Sequence, residues 1–207
     1  LSLHDALPIS TTNETYFFRA ERHWKYFTEK VLADAAGRAK PGGKFKIWSA
    51  AASNGSEAYS AAILALEKLP PAAPKPYILA TDINSRVLQA AAEGLYGEKD
   101  LSRTPDSIKK KYFNREGEKA RLKPGVRTLV VFRRHNLMAP APEGGFQVVF
   151  LRNVLIYFDR AAKERAFKHV FDAMLPGGTL FLGESESTVG VEHPFNYIEP
   201  SIYQKPP

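Results

Sequence analysis

The stretch from Lys44 to Asp82 constrains this chain more than any other. Lys44–Ser49 (KFKIWS) alternates like a short strand and runs into small residues, Ala50, Ala51, Ala52 and Ser53, followed by Gly55. Tyr59, Ile63 and Leu66 then fall on one face of a helix predicted from about Ser56 to Leu69. Pro70–Pro76 is a proline-rich connector, and Tyr77–Thr81 (YILAT) is a short apolar run with Asp82 at its carboxyl end. Strand, helix and buried strand in this order belong to a parallel sheet covered by helices.

The flanking segments extend that pattern. Upstream, Phe18, Trp24, Phe27, Val31 and Ala35 recur at helical spacing between Thr15 and Arg38, and Gly42-Gly43 ends the region. Phe17-Phe18 and Trp24 read as core residues. Downstream, Asn84 or Ser85 can cap a helix over Arg86–Glu93, which Gly94 terminates. The α/β alternation then breaks. Thr104-Pro105-Asp106 starts a helix leading into Lys109–Phe113, and Lys119–Lys123 with Arg127–Phe132 reads as a hairpin about Pro124-Gly125. It resumes with Gln147–Leu151 (QVVFL), a helix from Asp159 to Leu175, Gly177-Gly178 and a strand Thr179–Gly183. Phe195–Ile198 and Ile202–Gln204 make a last hairpin. The expected fold is α/β: a doubly wound, Rossmann-like sheet over residues 10–207, with a small antiparallel insertion at about 95–135. Leu1–Ile9 joins poorly to the rest and is set aside as a non-native leader; it lacks the basic start and long apolar core of a signal peptide.

Composition excludes several classes. No apolar run approaches the roughly 20 residues of a membrane span, and there is no cysteine for disulfides or thiolate metal sites, so the expected setting is cytoplasmic. The five histidines are scattered without metal-ligand spacing. Net charge is +7, and Lys109, Lys110, Lys111, Arg115, Lys119, Arg121, Lys123, Arg127, Arg133 and Arg134 crowd one stretch. Such a face suits an anionic partner.

Doubly wound sheets bind ligands beyond the carboxyl ends of their strands, where strand order reverses. The small residues at 50–55 let a ligand approach the first turn. A single glycine among alanines fits a pyrophosphate poorly, and Glu57 at the helix start would repel one. A ligand ammonium would instead be attracted to Glu57. Asp82 ends the second strand, where an acid accepts hydrogen bonds from ribose hydroxyls. Ribose and ammonium without pyrophosphate describe S-adenosylmethionine. Singly, each residue also has an ordinary role: tight packing, a helix-start carboxylate, a cap.

At this point a family resemblance is visible. WSAAASNGSEAYS (48–60), TTNETYFFR (11–19), ATDI (80–83), HNL (135–137), LRNVLIYFD (151–159) and LPGGTLFLGESES (175–187) resemble, in order, the motifs of the CheR-type chemotaxis methyltransferases. The resemblance implies methyl transfer from S-adenosylmethionine to glutamate side chains of methyl-accepting chemoreceptor signalling helices, with S-adenosylhomocysteine as product. It implies a cofactor site of Asn13, Thr15, Arg19, Ala51, Glu57, Asp82, Asn136, Leu137, Arg152 and Asn153, with Arg19 and Tyr157 nearest the methyl. Two departures stand out. The family's N-terminal helical subdomain is missing or truncated ahead of TTNETYFFR, and the insertion is short, which argues against dependence on a receptor C-terminal pentapeptide.

Two other readings keep parts of this argument. A nucleic-acid methyltransferase would use the basic stretch to track phosphates, but Arg152-Asn153 stands where an Asn-Pro-Pro-Tyr-like motif would. A non-enzymatic cofactor-binding sensor would be expected to lack Arg19 or Tyr157. Neither nucleic acid nor membrane insertion is expected.

Overall fold

The computed structural model describes residues 15–37 and 44–207. The leader, Asn13 and Gly42-Gly43 lie outside them. Along the chain run helix α1 (residues 21–37), β1 (Lys44–Ser49), α2 (Ser56–Lys68), β2 (Lys75–Asp82), α3 (Ser85–Glu93) and β3 (Leu95–Tyr96). Next come α4 (Asp106–Tyr112), β4 (Phe113–Glu116), β5 (Lys119–Leu122), the single turn α5 (Pro124–Arg127) and β6 (Val130–Arg134). β7 (Phe146–Leu151), α6 (Arg160–Ala173), β8 (Met174–Leu182), β9 (Asn196–Glu199) and β10 (Ile202–Gln204) complete the chain.

One sheet has the order β6-β2-β1-β7-β8-β10-β9. β6, β2, β1, β7 and β8 pair in parallel, and β10 adds antiparallel to β8 and β9. From β1 the chain winds outward through β2 to β6, then returns to place β7 on the other side of β1. The order therefore reverses between β1 and β7, and a crevice opens beyond their carboxyl ends. This is the expected Rossmann-like architecture.

Period-two alternation divides the core between the two faces of the sheet. Phe45, Ile47, Ile78, Ala80, Val148, Phe150 and Phe181 face one layer with α1 and α2. Trp48, Leu79, Val149, Leu151, Leu180 and Leu182 face the other, with α6. The first layer is aromatic: Phe150 stacks on Phe181 at 4.7 Å between centroids, and Trp24 lies 5.1 Å from Phe150. Each such pair adds about 0.5–1.5 kcal/mol beyond its buried area.

Two segments depart from the sequence expectation. The helical spacing from Thr15 does not give a helix there: α1 starts at Glu21, because Phe18 and Ala20 take left-handed backbone conformations (φ 58° and 65°). Phe17 N–H donates to Asp100 O and Phe18 N–H to Ser60 Oγ, which pins the segment against the loop after β3 and against α2. α1 is also π-helical at Phe27–Leu32.

The second departure is the hairpin about Pro124-Gly125. Pro124 instead opens α5, where its missing N–H costs nothing, and the following strand β6 joins the main sheet parallel to β2. The hairpin is β4–β5, turning at Gly117 (φ 62°), and β3 completes a three-stranded antiparallel sheet. Much of the basic stretch braces this region. Lys111 pairs with Glu67, Arg121 with Glu116 and Lys109 with Asp106, while Lys123 Nζ–H donates to Lys111 O and Arg127 to Ala92 O.

α1 also buries His23 completely, with neither ring nitrogen bonded among the described residues. Burial, then Arg152 and Arg22, lowers its pKa from 6.5 to about 3. The unfolded chain binds a proton here below pH 6.5 and the folded chain does not. The associated stability is full above pH 6.5 and falls as pH drops towards 3, by about 2 kcal/mol at pH 5. His23→Phe is expected to remove that dependence in urea titrations at pH 7 and pH 5. An unchanged slope in the variant would refute the assignment.

Candidate active site

The crevice beyond β1, β2 and β7 holds a cavity of about 250 Å³. Thr15, Arg19, Ala51, Glu57, Asp82, Arg152, Asn153 and Tyr157 line it, so eight positions singled out from sequence converge on one space. Asn136 and Leu137 do not line it. Asn136 Oδ1 accepts from Met138 N–H to close a turn, and Leu137 is buried in the core beneath α6. Ala52 and Ser53, two of the small residues expected at the first turn, line it too, as do Tyr16, Trp24 and Val154, which sequence does not assign to it. Trp24 gives no separate signal in sequence, because its helical spacing with Phe27 and Val31 points to the core, where it also packs.

Each wall is built by local chemistry. β1 ends in Ser49, whose Oγ–H donates to Glu57 Oε1 at 2.6 Å. The chain must then turn sharply into α2, with Ser53 (φ 48°) and Gly55 (φ 82°) in the left-handed region. The turn is held from β2. Asp82 Oδ2 accepts Ser53 N–H and Oδ1 accepts Asn84 N–H, both at 2.9 Å. Asp82 is thus a loop brace as well as a candidate ligand contact, and its remaining lone pairs line the cavity. β7 leads into Arg152, which is buried. Its Nη1–H donates to Glu57 Oε2 at 3.1 Å and its Nη2–H to Arg19 O at 2.9 Å, and its guanidinium lies 5.8 Å from the Trp24 ring. Trp24 Nε1–H donates to the same Arg19 carbonyl. Arg19, Trp24, Arg152 and Glu57 are therefore one connected network.

The electrostatics follow from that burial. Desolvation raises the Glu57 pKa above the usual carboxylate range, against the opposing pull of Arg152 and the Ser49 hydroxyl. Arg152 keeps Glu57 paired, and its own Nε–H is buried without a bonded partner among the described residues.

This donor set fits S-adenosylmethionine. A carboxylate that gains from a nearby cation suits the ammonium, a buried N–H suits a ligand acceptor, and a strand-end aspartate suits vicinal hydroxyls. Small residues at Ala51 and Ala52 leave room for close approach. Tyr157 stands at the rim, 56% exposed, on a 3-10 turn at Leu155–Tyr157, and Arg19 is half-buried.

Comparison with known sequences agrees with this geometry. Residues 13–203 match the family described as CheR methyltransferase, SAM binding domain. A Rhizobium etli protein named "Probable chemotaxis protein methyltransferase" is 38% identical over 94% of this chain and 75% of its own length. The chemotaxis protein methyltransferase of Vibrio anguillarum is 36% identical over 97% of this chain and 74% of its own. Chemotaxis protein methyltransferase 2 of Pseudomonas aeruginosa is 36% identical over 93% and 70%. Among solved structures, the glycopeptide N-methyltransferase MtfA with bound S-adenosylmethionine is similar at a TM-score of 0.44, with 17% identity, over 86% of this chain and 58% of that one. The chain belongs to the CheR methyltransferase family and is an S-adenosylmethionine-dependent methyltransferase.

Proposed function

We propose that the protein esterifies glutamate side chains on the signalling helices of chemoreceptors. The observation that carries this reading is the meeting, in one cavity, of the Glu57–Arg152 pair and Asp82 with Arg19 and Tyr157. Glu57, Asp82 and Arg152, with Thr15, Ala51 and Asn153, would hold the cofactor. When bound, it supplies an activated methyl group on a sulfonium. A substrate glutamate has a reference pKa near ~4.3 and is already a carboxylate at neutral pH, so no general base is needed. The chain's task is alignment and exclusion of water. Arg19 can receive the incoming carboxylate, since a guanidinium donates to it as a fork. Tyr157 walls the route to the methyl and offers a hydroxyl to orient it.

Charge and the relatives' names both support this substrate class. The protein carries a net charge of +7, which favours an acidic partner over a neutral one. Lys110, Arg115 and Lys119 are exposed and place positive charge on the surface within residues 95–135. The reading includes no role for a receptor C-terminal pentapeptide.

The test separates binding from chemistry. Radiolabelled methyl is offered to an acidic receptor-helix fragment and to nucleic acid, with S-adenosylhomocysteine binding followed by calorimetry. Label should enter the receptor fragment only, as a base-labile ester. Tyr157→Phe should slow transfer while leaving cofactor affinity nearly intact. Asp82→Ala should weaken cofactor binding by ~1.5–3 kcal/mol, because a charge-assisted acceptor and the brace on Ser53 are lost together. Label in nucleic acid, or full turnover by Tyr157→Phe, would count against the reading.

A further inference from the structure

The segment after β8 carries a carboxylate that the mechanism above leaves without a task. Glu186 Oε1 accepts Val154 N–H at 2.8 Å and Leu155 N–H at 2.7 Å, while Oε2 accepts Asn153 N–H at 3.0 Å and Gly183 N–H at 2.5 Å. One side chain thus satisfies three consecutive amides of the loop that follows β7, plus one at the end of β8. Successive N–H groups converging on an anion form a nest, and hydrogen bonds to an ionised acceptor are the strong kind.

The position of that nest matters. Val154 and Leu155 open the 3-10 turn Leu155–Tyr157, so their N–H groups have no acceptor within the turn itself. Asn153 is in the left-handed region at φ 59°, which asparagine tolerates better than other side chains and which turns the chain so that successive N–H groups converge on the carboxylate. Gly183 is fitted to the same carboxylate: a Cβ there would lie 2.7 Å from Glu186 Oε2 and 2.9 Å from Asn153 N. Glu186 N–H in turn donates to Gly183 O at 3.0 Å, which folds the side chain back over the strand ends. Arg152, just upstream, is held independently by Glu57 and by the Arg19 carbonyl.

We propose that Glu186 is a positioning residue for methyl transfer: its carboxylate clamps the β7 loop to β8 and fixes the turn that presents Tyr157 at the cavity rim. The proposal rests on the role given to Tyr157 above. Asp82 and the Glu57–Arg152 pair have hydrogen-bond partners of their own, and Asn153 is the cofactor residue that hangs on the clamp, so the effect falls on turnover more than on cofactor binding.

The experiment compares wild type, Glu186→Ala and Glu186→Gln as full chains. kcat and receptor KM, S-adenosylhomocysteine affinity, and NMR amide exchange at Asn153, Val154 and Leu155 are measured for each. Glu186→Ala should lower kcat by roughly 10- to 100-fold, the cost of misplacing a reacting geometry by about 1 Å. Cofactor affinity should fall far less than kcat, and the three amides should lose protection. Formate, which can occupy the vacated nest, should restore part of the kcat of Glu186→Ala and none of wild type. Glu186→Gln keeps one acceptor oxygen but turns an NH₂ towards donors, so it should be impaired and insensitive to formate. It also carries the test if the alanine variant does not fold. Wild-type kcat in either variant, or loss of kcat with protection unchanged, would overturn the proposal. So would equal losses of kcat and cofactor affinity. If the wild type itself transfers no methyl to the receptor fragment, the substrate reading fails, and amide exchange alone decides whether Glu186 holds the turn.

Discussion

Arg152→Ala is expected to lower the unfolding free energy by about 3–5 kcal/mol, the largest loss from any single side chain of the site. Glu57 and Arg152 are both largely withdrawn from water, with side-chain exposures of 14% and 4%. Removing the cation leaves a buried carboxylate whose other partner is the Ser49 hydroxyl. It also removes the donor to Arg19 O and the cation above Trp24. The pH dependence has a definite sign. A carboxyl whose folded pKa is raised stabilises the fold below its unfolded pKa, and that stability is lost as pH rises through the folded value. Burial already raises Glu57, and Arg152 is the main influence pulling it back. Without Arg152 the deficit should therefore widen as pH rises above about 4.5 and narrow towards that pH. Glu57→Leu with Arg152→Met should recover much of the loss, since an apolar pair of similar volume carries no desolvation penalty. Urea midpoints at pH 5 and pH 7.5, with unchanged slopes, measure this. A single-variant deficit under about 0.5 kcal/mol at pH 7.5 would mean the pair is effectively solvated.

Gly55→Ala is the second large effect, about 2–5 kcal/mol. The left-handed backbone at φ 82° costs an alanine about 1–2 kcal/mol. The new methyl would meet Ala91 Cβ at 2.9 Å, Phe132 Cζ at 3.1 Å and the Tyr96 hydroxyl at 3.2 Å. None of these can yield easily. Ala91 is buried on α3, and the Tyr96 hydroxyl donates to Asn54 O at 2.8 Å within the same turn. Overpacking of this kind adds about 1–3 kcal/mol. Because Gly55 begins the helix that carries Glu57, S-adenosylhomocysteine affinity should fall as well. Gly125→Ala is the control: a Cβ there meets nothing within 4 Å, so thermal unfolding should be unchanged or slightly raised. Equal behaviour of the two variants would show that the turn at Gly55 is adaptable.

The parts of the molecule legible in sequence are those where local pattern and tertiary demand coincide. β1, its small-residue turn and α2 were readable because alternation, absent side chains and helical spacing all point the same way. Asn84 and Gly94 bound α3 by ordinary capping chemistry. The region from Phe113 to Arg134 departs from its sequence pattern because Pro124-Gly125 serves equally as a hairpin turn or a helix start. The true turn at Gly117 lies in a polar stretch without alternation. The left-handed residues Phe18, Ala20 and Ser53 leave no trace in sequence, since none is a glycine or asparagine. Glu186 is invisible for a related reason: its partners are backbone amides, which every sequence supplies. Asp82 was found by its place at a strand end, but its grip on Ser53 could be seen only once the loop had a shape.

The dual standing of Trp24, half core and half cavity wall, gives the molecule a built-in optical reporter. The chain has two tryptophans. Trp48 is buried in the opposite face of the sheet, stacked on Phe146 and donating to Thr81 Oγ1, and does not line the cavity, so its surroundings should change less when the crevice fills. Trp24 borders the cavity beneath the Arg152 guanidinium, so any change in polarity or contact there alters the surroundings of its indole. Filling the crevice should therefore shift or quench the fluorescence of the unlabelled protein, and Trp24→Phe should abolish that change.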